Sequence, residues 1–408
     1  MQTNLDTSLI DPRDADRVHS ILRKCVHCGF CNATCPTYQI KGDELDGPRG
    51  RIYQMKMFFE GHTDNAQLRT HLDRCLTCRS CETTCPSGVQ YSKLLEVGRH
   101  TVDKVYPRSG AQTFKRKAIV RMVNSGLLFH AMIRIAQALH KYLPAPIGAA
   151  VPARQEAIKR ESNVGVRTVL MLSGCVQPTL TPNTNIAAIN ILNRMGFKVI
   201  ETPAYQCCGA AALHTSESER GIKQAKAMID QWWPQIENGA DAIVVSASGC
   251  AVNVAEYPDV LRHEPEYAAK AARVKELLTD MSELIANNSA RLSFSNEVQM
   301  RVAFHTPCTL QHGLKLKHKV EPILEKAGYT LCAVADEHLC CGSAGTYSML
   351  QPQLSGQLRA NKQRALGIDQ PDIVATANIG CQTHIANGNA TPVVHWLELV
   401  EKATTVAS

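Results

Sequence analysis

Aromatic side chains are scarce in this 408-residue chain, at 5% of positions and with only 3 tryptophans. The hydrophobic fraction is nonetheless 44%, so aliphatic residues must supply the packed cores of two or three domains. Long uninterrupted apolar runs are missing as well. Met1 to Lys24 is polar and rich in acidic residues, so no export signal is expected there. The charge-free stretch from Thr168 to Asn193 is broken by Pro178, Pro182 and several threonines and asparagines, which argues against a membrane-spanning helix. No Gly-x-Gly-x-x-Gly opens a helix after a strand, so no dinucleotide site is indicated. Disorder, collagen and coiled coil do not fit the composition.

Cysteine is what the chain has in abundance, 17 in all. Without an export signal these thiols are expected to stay reduced, which favours metal or redox chemistry over a disulfide framework. Eight of them fall in two equal runs. Cys25, Cys28, Cys31 and Cys35-Pro36 match Cys75, Cys78, Cys81 and Cys85-Pro86, each run spaced Cys-x2-Cys-x2-Cys-x3-Cys-Pro. Three cysteines at three-residue steps can wrap three corners of a [4Fe–4S] cube, while the fourth, turned away by its proline, ligates the other cluster. The expected sets are therefore Cys25, Cys28, Cys31 with Cys85, and Cys75, Cys78, Cys81 with Cys35. Zinc is the competing occupant, but it needs neither the third equally spaced cysteine nor the terminal Cys-Pro.

Most of the remaining cysteines belong to an internal duplication over residues 165–408. In the first half, a strand Arg167-Thr-Val-Leu-Met-Leu leads to Cys175 and a helix after Pro182. A strand at Phe197, then Cys207-Cys208-Gly209, a helix, a strand at Ala242 and Cys250 complete it. The second half repeats the order, with Arg301-Val-Ala-Phe, Cys308, Tyr329-Thr-Leu, Cys340-Cys341-Gly342, Ile373-Val-Ala-Thr and Cys381. The interval from the first cysteine to the pair is 32 residues in both halves. From the pair to the last cysteine it is 42 and 40. Repetition at this level implies two small parallel α/β sheets, with four sulfurs converging beyond the strand ends of each. These eight cysteines form a candidate third metal or redox-thiol site, with buried free thiols as the plainer reading. His305, ahead of Cys308, fits a ligand, a proton donor or a core histidine, with the core reading preferred, and Cys332 reads as packing.

The formal charge of +7 is concentrated in one place: residues 111–163 hold 9 basic and 2 acidic side chains. Ile119, Met122 and Val123, then Leu128, Met132, Ile135 and Leu139, recur at helical spacing among Lys115, Arg116, Lys117 and Arg121. Such a helix either packs on a neighbouring domain or lies on an anionic membrane surface, which would make the chain peripheral on the inner face of the cell membrane. Tyr142 to Pro152 reads as a linker, and nothing points to nucleic acid. The expected organisation is α+β: a helical ferredoxin-like domain over 1–110, the basic helix and linker over 111–164, and cysteine-rich repeats over 165–290 and 291–408.

The paired ferredoxin runs followed by two Cys-Cys-Gly units resemble the family of iron–sulfur subunits of flavin-linked dehydrogenases. That family serves glycolate, lactate and glycerol-3-phosphate oxidation and includes heterodisulfide reductase B-type subunits. The likeness extends to Gly42-Asp-Glu-Leu-Asp-Gly-Pro-Arg-Gly-Arg-Ile, to His71-Leu-Asp-Arg-Cys, to Cys308-Thr-Leu-Gln-His and to His338-Leu-Cys-Cys-Gly-Ser-Ala-Gly-Thr-Tyr. The resemblance implies a subunit that carries electrons from FAD-binding partners towards a membrane quinone, within a complex oxidising glycolate to glyoxylate and also D-lactate. The alternatives are the iron–sulfur subunit of a related flavin-linked dehydrogenase, for lactate or glycerol-3-phosphate, and a thiol or disulfide reductase built on the Cys-Cys-Gly units. One departure stands out. Heterodisulfide reductase relatives pair the last cysteine of each half in Cys-x-x-Cys, whereas here the partner positions are Ala247 and Asn378.

Overall fold

The computed structural model describes residues 2–62, 66–144, 148, 151–294 and 298–406. The chain divides into two compact units, one of Met1–Lys117 with His338–Lys362, the other of Ala118–Glu337 with Gln363–Ser408. These units cut across the second repeat, because the segment carrying Cys340-Cys341-Gly342 folds with the N-terminal block. Of the expected linker, residues 145–147 and 149–150 lie outside the described residues.

The first unit is helical, and no strand occurs among its described residues. Its longest helices are Pro12–Lys24, Pro48–Phe59 and Tyr91–Val105. The first begins at Asp11, whose carboxylate accepts from the Arg13 amide, with Pro12 at its first position and Arg23 and Lys24 in its last turn. Together the helices bury Leu22, Met55, Phe58, Phe59, Leu94 and Leu95 in one core. Two glycines let the backbones close in. A Cβ on Gly50 would sit 2.0 Å from the Glu44 carbonyl oxygen, and one on Gly98 would sit 2.5 Å from the Met55 sulfur. The His338–Lys362 segment is anchored here by buried Tyr347, whose hydroxyl donates to the Arg74 carbonyl at 3.0 Å.

The second unit holds the two parallel sheets. Strands β1 (Arg167–Leu172), β2 (Phe197–Glu201) and β3 (Ala242–Val245) run in the order β2-β1-β3, with Val169 opposite both Val199 and Ala242. A short β4 (Leu292–Phe294) precedes the second sheet. There β5 (Arg301–His305), β6 (Thr330–Leu331), β7 (Ile373–Thr376) and β8 (Val393–His395) run β6-β5-β7-β8. Finally β9 (Thr404–Val406) pairs antiparallel with β4. The strands named from sequence are all present, while β4, β8 and β9 were not foreseen because each is only three residues long. In the first sheet the counterpart of β8 shrinks to a single bridge between Ile243 and Leu278.

One hydrophobic core serves both repeats, joining Val169, Ile191 and Phe197 to Phe304, Leu324 and Trp396. The helices Pro182–Arg194 and Trp396–Lys402 are also tied by polar bonds. Thr184 donates to Glu398 at 2.7 Å, and the Arg194 guanidinium reaches the Glu401 carboxylate at 2.8 Å and the Thr404 carbonyl at 2.7 Å.

Helix Trp396–Lys402 is capped by His395, which is fully buried and accepts from the Leu397 amide at 3.3 Å. Burial lowers its pKa to about 4, from 6.5 for a free imidazole. The folded state thus binds this proton less well than the unfolded chain, so its contribution is complete above pH 6.5 and is lost as pH falls towards 4. The slope is at most about 1.4 kcal/mol per pH unit across that window. Urea unfolding of His395→Asn, which keeps an acceptor at the cap, is expected to show a shallower loss of stability between pH 6.5 and 4. Equal slopes for the two proteins would contradict this assignment.

Candidate metal centres

The two cysteine runs fold alike at each residue that matters. In the first, His27 and Gly29 flank Cys28 with φ of 56° and 87°. In the second, Thr77 and Arg79 flank Cys78 with φ of 57° and 62°. Left-handed backbone on either side of the middle cysteine curls each run, and three of these four residues are not glycine. The fourth cysteines are extended, Cys35 at φ −87°, ψ 114° and Cys85 at φ −75°, ψ 115°. A proline follows each and holds that conformation.

Two clefts result. One is lined by Cys25, Cys28, Cys31 and Cys85, with Cys81 on its wall. The other is lined by Cys35, Cys75, Cys78 and Cys81. Tyr91 borders both, and Ile52 and Val89 give the first an apolar wall. Burial raises the pKa of the Cys25 and Cys81 thiols and brings Cys31 up to about 11. Neighbouring cysteines push each of them further in the same direction. Metal uptake must therefore displace protons from these groups. Sulfur-only donor sets fit iron–sulfur clusters better than any carboxylate-loving ion.

Behind the second cleft lies a buried ion network that the spacing of cysteines did not reveal. Asp46, 0% exposed, accepts from His71 Nδ1 at 2.9 Å and Arg74 Nη1 at 2.8 Å, and lies 3.5 Å from the guanidinium of Arg51, itself 1% exposed. Arg51 donates to the His71 carbonyl at 2.7 Å and to the Thr37 hydroxyl at 3.2 Å, and that hydroxyl is 3.2 Å from Cys35 Sγ. A sequence signal did exist. Arg51 interrupts the apolar face that Ile52, Met55, Phe58 and Phe59 give to helix Pro48–Phe59.

In the second unit the four cysteines of the first repeat come together. The thiols of Cys175 and Cys208 hydrogen-bond to Cys207, and Cys208 also bonds Cys250. These bonds hold the Cys207 pKa well below the ordinary thiol range, helped by the Gly209 amide, which donates to its sulfur at 3.4 Å. The same bonds, with burial, push Cys175 and Cys208 up. The loop is braced from beneath, as the Cys208 carbonyl accepts from Asn253 Nδ2 at 2.6 Å and from the Tyr257 hydroxyl at 3.0 Å. The Cys175 loop is fixed by Gln177, which donates to Asn185 at 2.6 Å and to Ser246 at 2.7 Å.

The second set of four divides differently. Cys308 and Cys381 belong to the second unit, Cys340 and Cys341 to the first. Asn378, three residues before Cys381, donates to Cys381 Sγ at 3.6 Å and accepts from the Gly249 amide at 3.4 Å. His305 is buried at the end of β5, and buried Cys332 follows β6, with its thiol 3.8 Å from the Asp369 carbonyl.

The basic segment forms the helices Gly110–Val123 and Leu127–Ala138, broken at Ser125-Gly126. Among the described residues no single helix is long and apolar enough to cross a membrane. Lys115, Lys117 and Arg121 are exposed, but Arg116 is engaged with Asp73 at 2.8 Å and is not a free surface cation. The apolar stripe faces outward at Leu128, Ile135 and Leu139, and Leu127 is 75% exposed.

Comparison with known proteins decides the family. Residues 21–89 match the 4Fe-4S dicluster domain, and residues 169–255 and 302–386 each match the cysteine-rich domain. The chain is 47% identical over 407 residues to the glycolate oxidase iron–sulfur subunit of Escherichia coli K12, covering 99% of both chains. The chain belongs to the glycolate oxidase iron–sulfur subunit family. It is an iron–sulfur protein of the dicluster 4Fe-4S type with a duplicated cysteine-rich domain. A probable glycolate oxidase iron–sulfur subunit of Bacillus subtilis is 28% identical over 403 residues, covering 88% of this chain and 87% of that one. Lactate utilization protein A of Bacillus pumilus is 24% identical over 212 residues, covering 52% of this chain and 87% of its own. A crystal structure of a hypothetical protein from Helicobacter pylori shares the fold, with TM-score 0.56 and 12% identity over 97% of this chain and 73% of that one.

Proposed function

We propose that the chain is the electron-transfer subunit of a glycolate dehydrogenase (oxidase) complex. In this reading FAD-binding partner subunits oxidise glycolate to glyoxylate, and D-lactate likewise, and this chain passes the electrons towards a membrane quinone. The observation that carries it is the pair of thiol-lined clefts inside one small helical unit. Cys25, Cys28, Cys31 and Cys85 would hold one [4Fe–4S] cluster, and Cys75, Cys78, Cys81 and Cys35 the other. Bound there, the clusters supply reversible one-electron transfer. The chain's own residues fix the thiols, wall off water and set the surrounding charge. Flavin and substrate are assigned to partners because the sequence carries no Gly-x-Gly-x-x-Gly dinucleotide motif.

The hydrogen-bonded thiols Cys175, Cys207, Cys208 and Cys250 form a third candidate iron–sulfur site, with Cys308, Cys340, Cys341 and Cys381 as its counterpart from the second repeat. Ala247 and Asn378, in place of cysteines, argue against a disulfide-cleaving centre. The exposed cations Lys115, Lys117 and Arg121, followed by an outward apolar stripe, support peripheral binding to the inner face of the cell membrane.

Glycolate added anaerobically to the purified complex is expected to reduce clusters in this subunit, seen by EPR, and the isolated subunit is expected to give no turnover. Zinc in place of iron, or clusters that stay oxidised with substrate, would overturn the reading. For the membrane, the triple variant Lys115→Gln, Lys117→Gln, Arg121→Gln is expected to release the complex from anionic vesicles at moderate salt. Unchanged co-sedimentation would contradict surface binding.

A further inference from the structure

The two clefts differ in the charge placed behind them. Beside the first, Arg49 pairs with Glu44 at 2.7 Å, and both side chains are more than a third exposed, so the pair is neutral and screened by solvent. Beside the second, Arg51 and Arg74 share the single carboxylate of Asp46. Within this group of three one positive charge is left over, and Arg51 carries its cation where water does not reach, with Arg79 also on the cleft lining. Arg51 lines the cleft with Cys35 and Cys75, and the Thr37 hydroxyl links its guanidinium to the Cys35 sulfur.

A cubane with four thiolates gains a negative charge when it takes up an electron. A fixed cation in a low-dielectric setting favours that reduced form and raises the reduction potential. We propose that Arg51 is a positioning residue for electrons, holding the cluster of Cys35, Cys75, Cys78 and Cys81 at the higher potential of the pair. The inference rests on the reading that clusters fill both clefts. It also gives the transfer a direction. The second cleft is the one beside the segment His338–Lys362, where buried Tyr347 donates to Arg74 and has Cys75, Arg51 and Cys340 as its ionisable neighbours. An electron entering at the exposed Cys28 side settles on the cluster that adjoins the cysteine-rich segment, ready to leave by that side.

The test is an anaerobic redox titration of the full, cluster-loaded chain followed by EPR. The step belonging to the second cleft is identified by its altered line shape in Cys78→Ser. That step is expected to be the first reduced. Arg51→Met is expected to lower its reduced-to-oxidised ratio at fixed potential about tenfold, or about 59 mV for a one-electron couple, and to leave the other step in place. Arg51→Lys, which keeps the charge, should titrate close to the parent, and Asp46→Asn, which removes the opposing charge, should raise the same step. Unchanged potentials in Arg51→Met, or a downward shift in Asp46→Asn, would overturn the proposal. If Arg51→Met does not retain iron, the sign of the Asp46→Asn shift decides alone. A parent chain with no reducible cluster would instead overturn the iron–sulfur reading itself.

Discussion

Each thiol-lined cleft is closed by a cysteine from the opposite run, and the rest of the helical unit depends on that exchange. Cys85 stands with Cys25, Cys28 and Cys31, and Cys35 with Cys75, Cys78 and Cys81. Neither run can complete its set alone, so the roughly forty residues between them must return the chain to its starting point. Helix Pro48–Phe59 makes that return, and Gly50 lets it press against the Glu44 carbonyl. Left-handed residues at matching places in both runs are strained when considered singly, and the surrounding fold must hold them.

Charge is organised by the same constraint. Bringing the runs together buries Asp46 and Arg51, and a buried carboxylate is tolerable only when its oxygens are satisfied. Asp46 meets that condition with two arginines and a histidine. The positive charge on Arg51 lies beside the second cleft, so in the proposed scheme packing and redox chemistry share the same side chains.

The sequence made much of this legible. Cysteine spacing named two sets of thiols, and the fold brings each set to the lining of one cleft, because ligand spacing acts through short, local intervals. Strands β1, β2, β3, β5 and β7 were readable because each is a run of aliphatic residues ending near a cysteine. Three-residue strands such as β8 lack a pattern long enough to see. Arg51 was hidden because its role depends on Asp46 and Thr37, which only the tertiary fold brings to it. The symmetry of the duplication suggested that both sets of four cysteines behave alike. Instead Tyr347 and its neighbours fold with the helical unit, and only the first set gathers within a single unit. For the basic helix, spacing preferred packing on a neighbouring domain over a membrane surface, whereas Leu128 and Ile135 are exposed.

In the proposed arrangement the two clusters trade their fourth ligands. Mössbauer spectroscopy of iron-enriched protein, comparing four single serine variants, tests it directly. Cys85→Ser should diminish the same spectral component as Cys25→Ser, and Cys35→Ser the same component as Cys75→Ser. If Cys85→Ser instead diminishes the component lost in Cys75→Ser, each run holds its own cluster and the account is wrong.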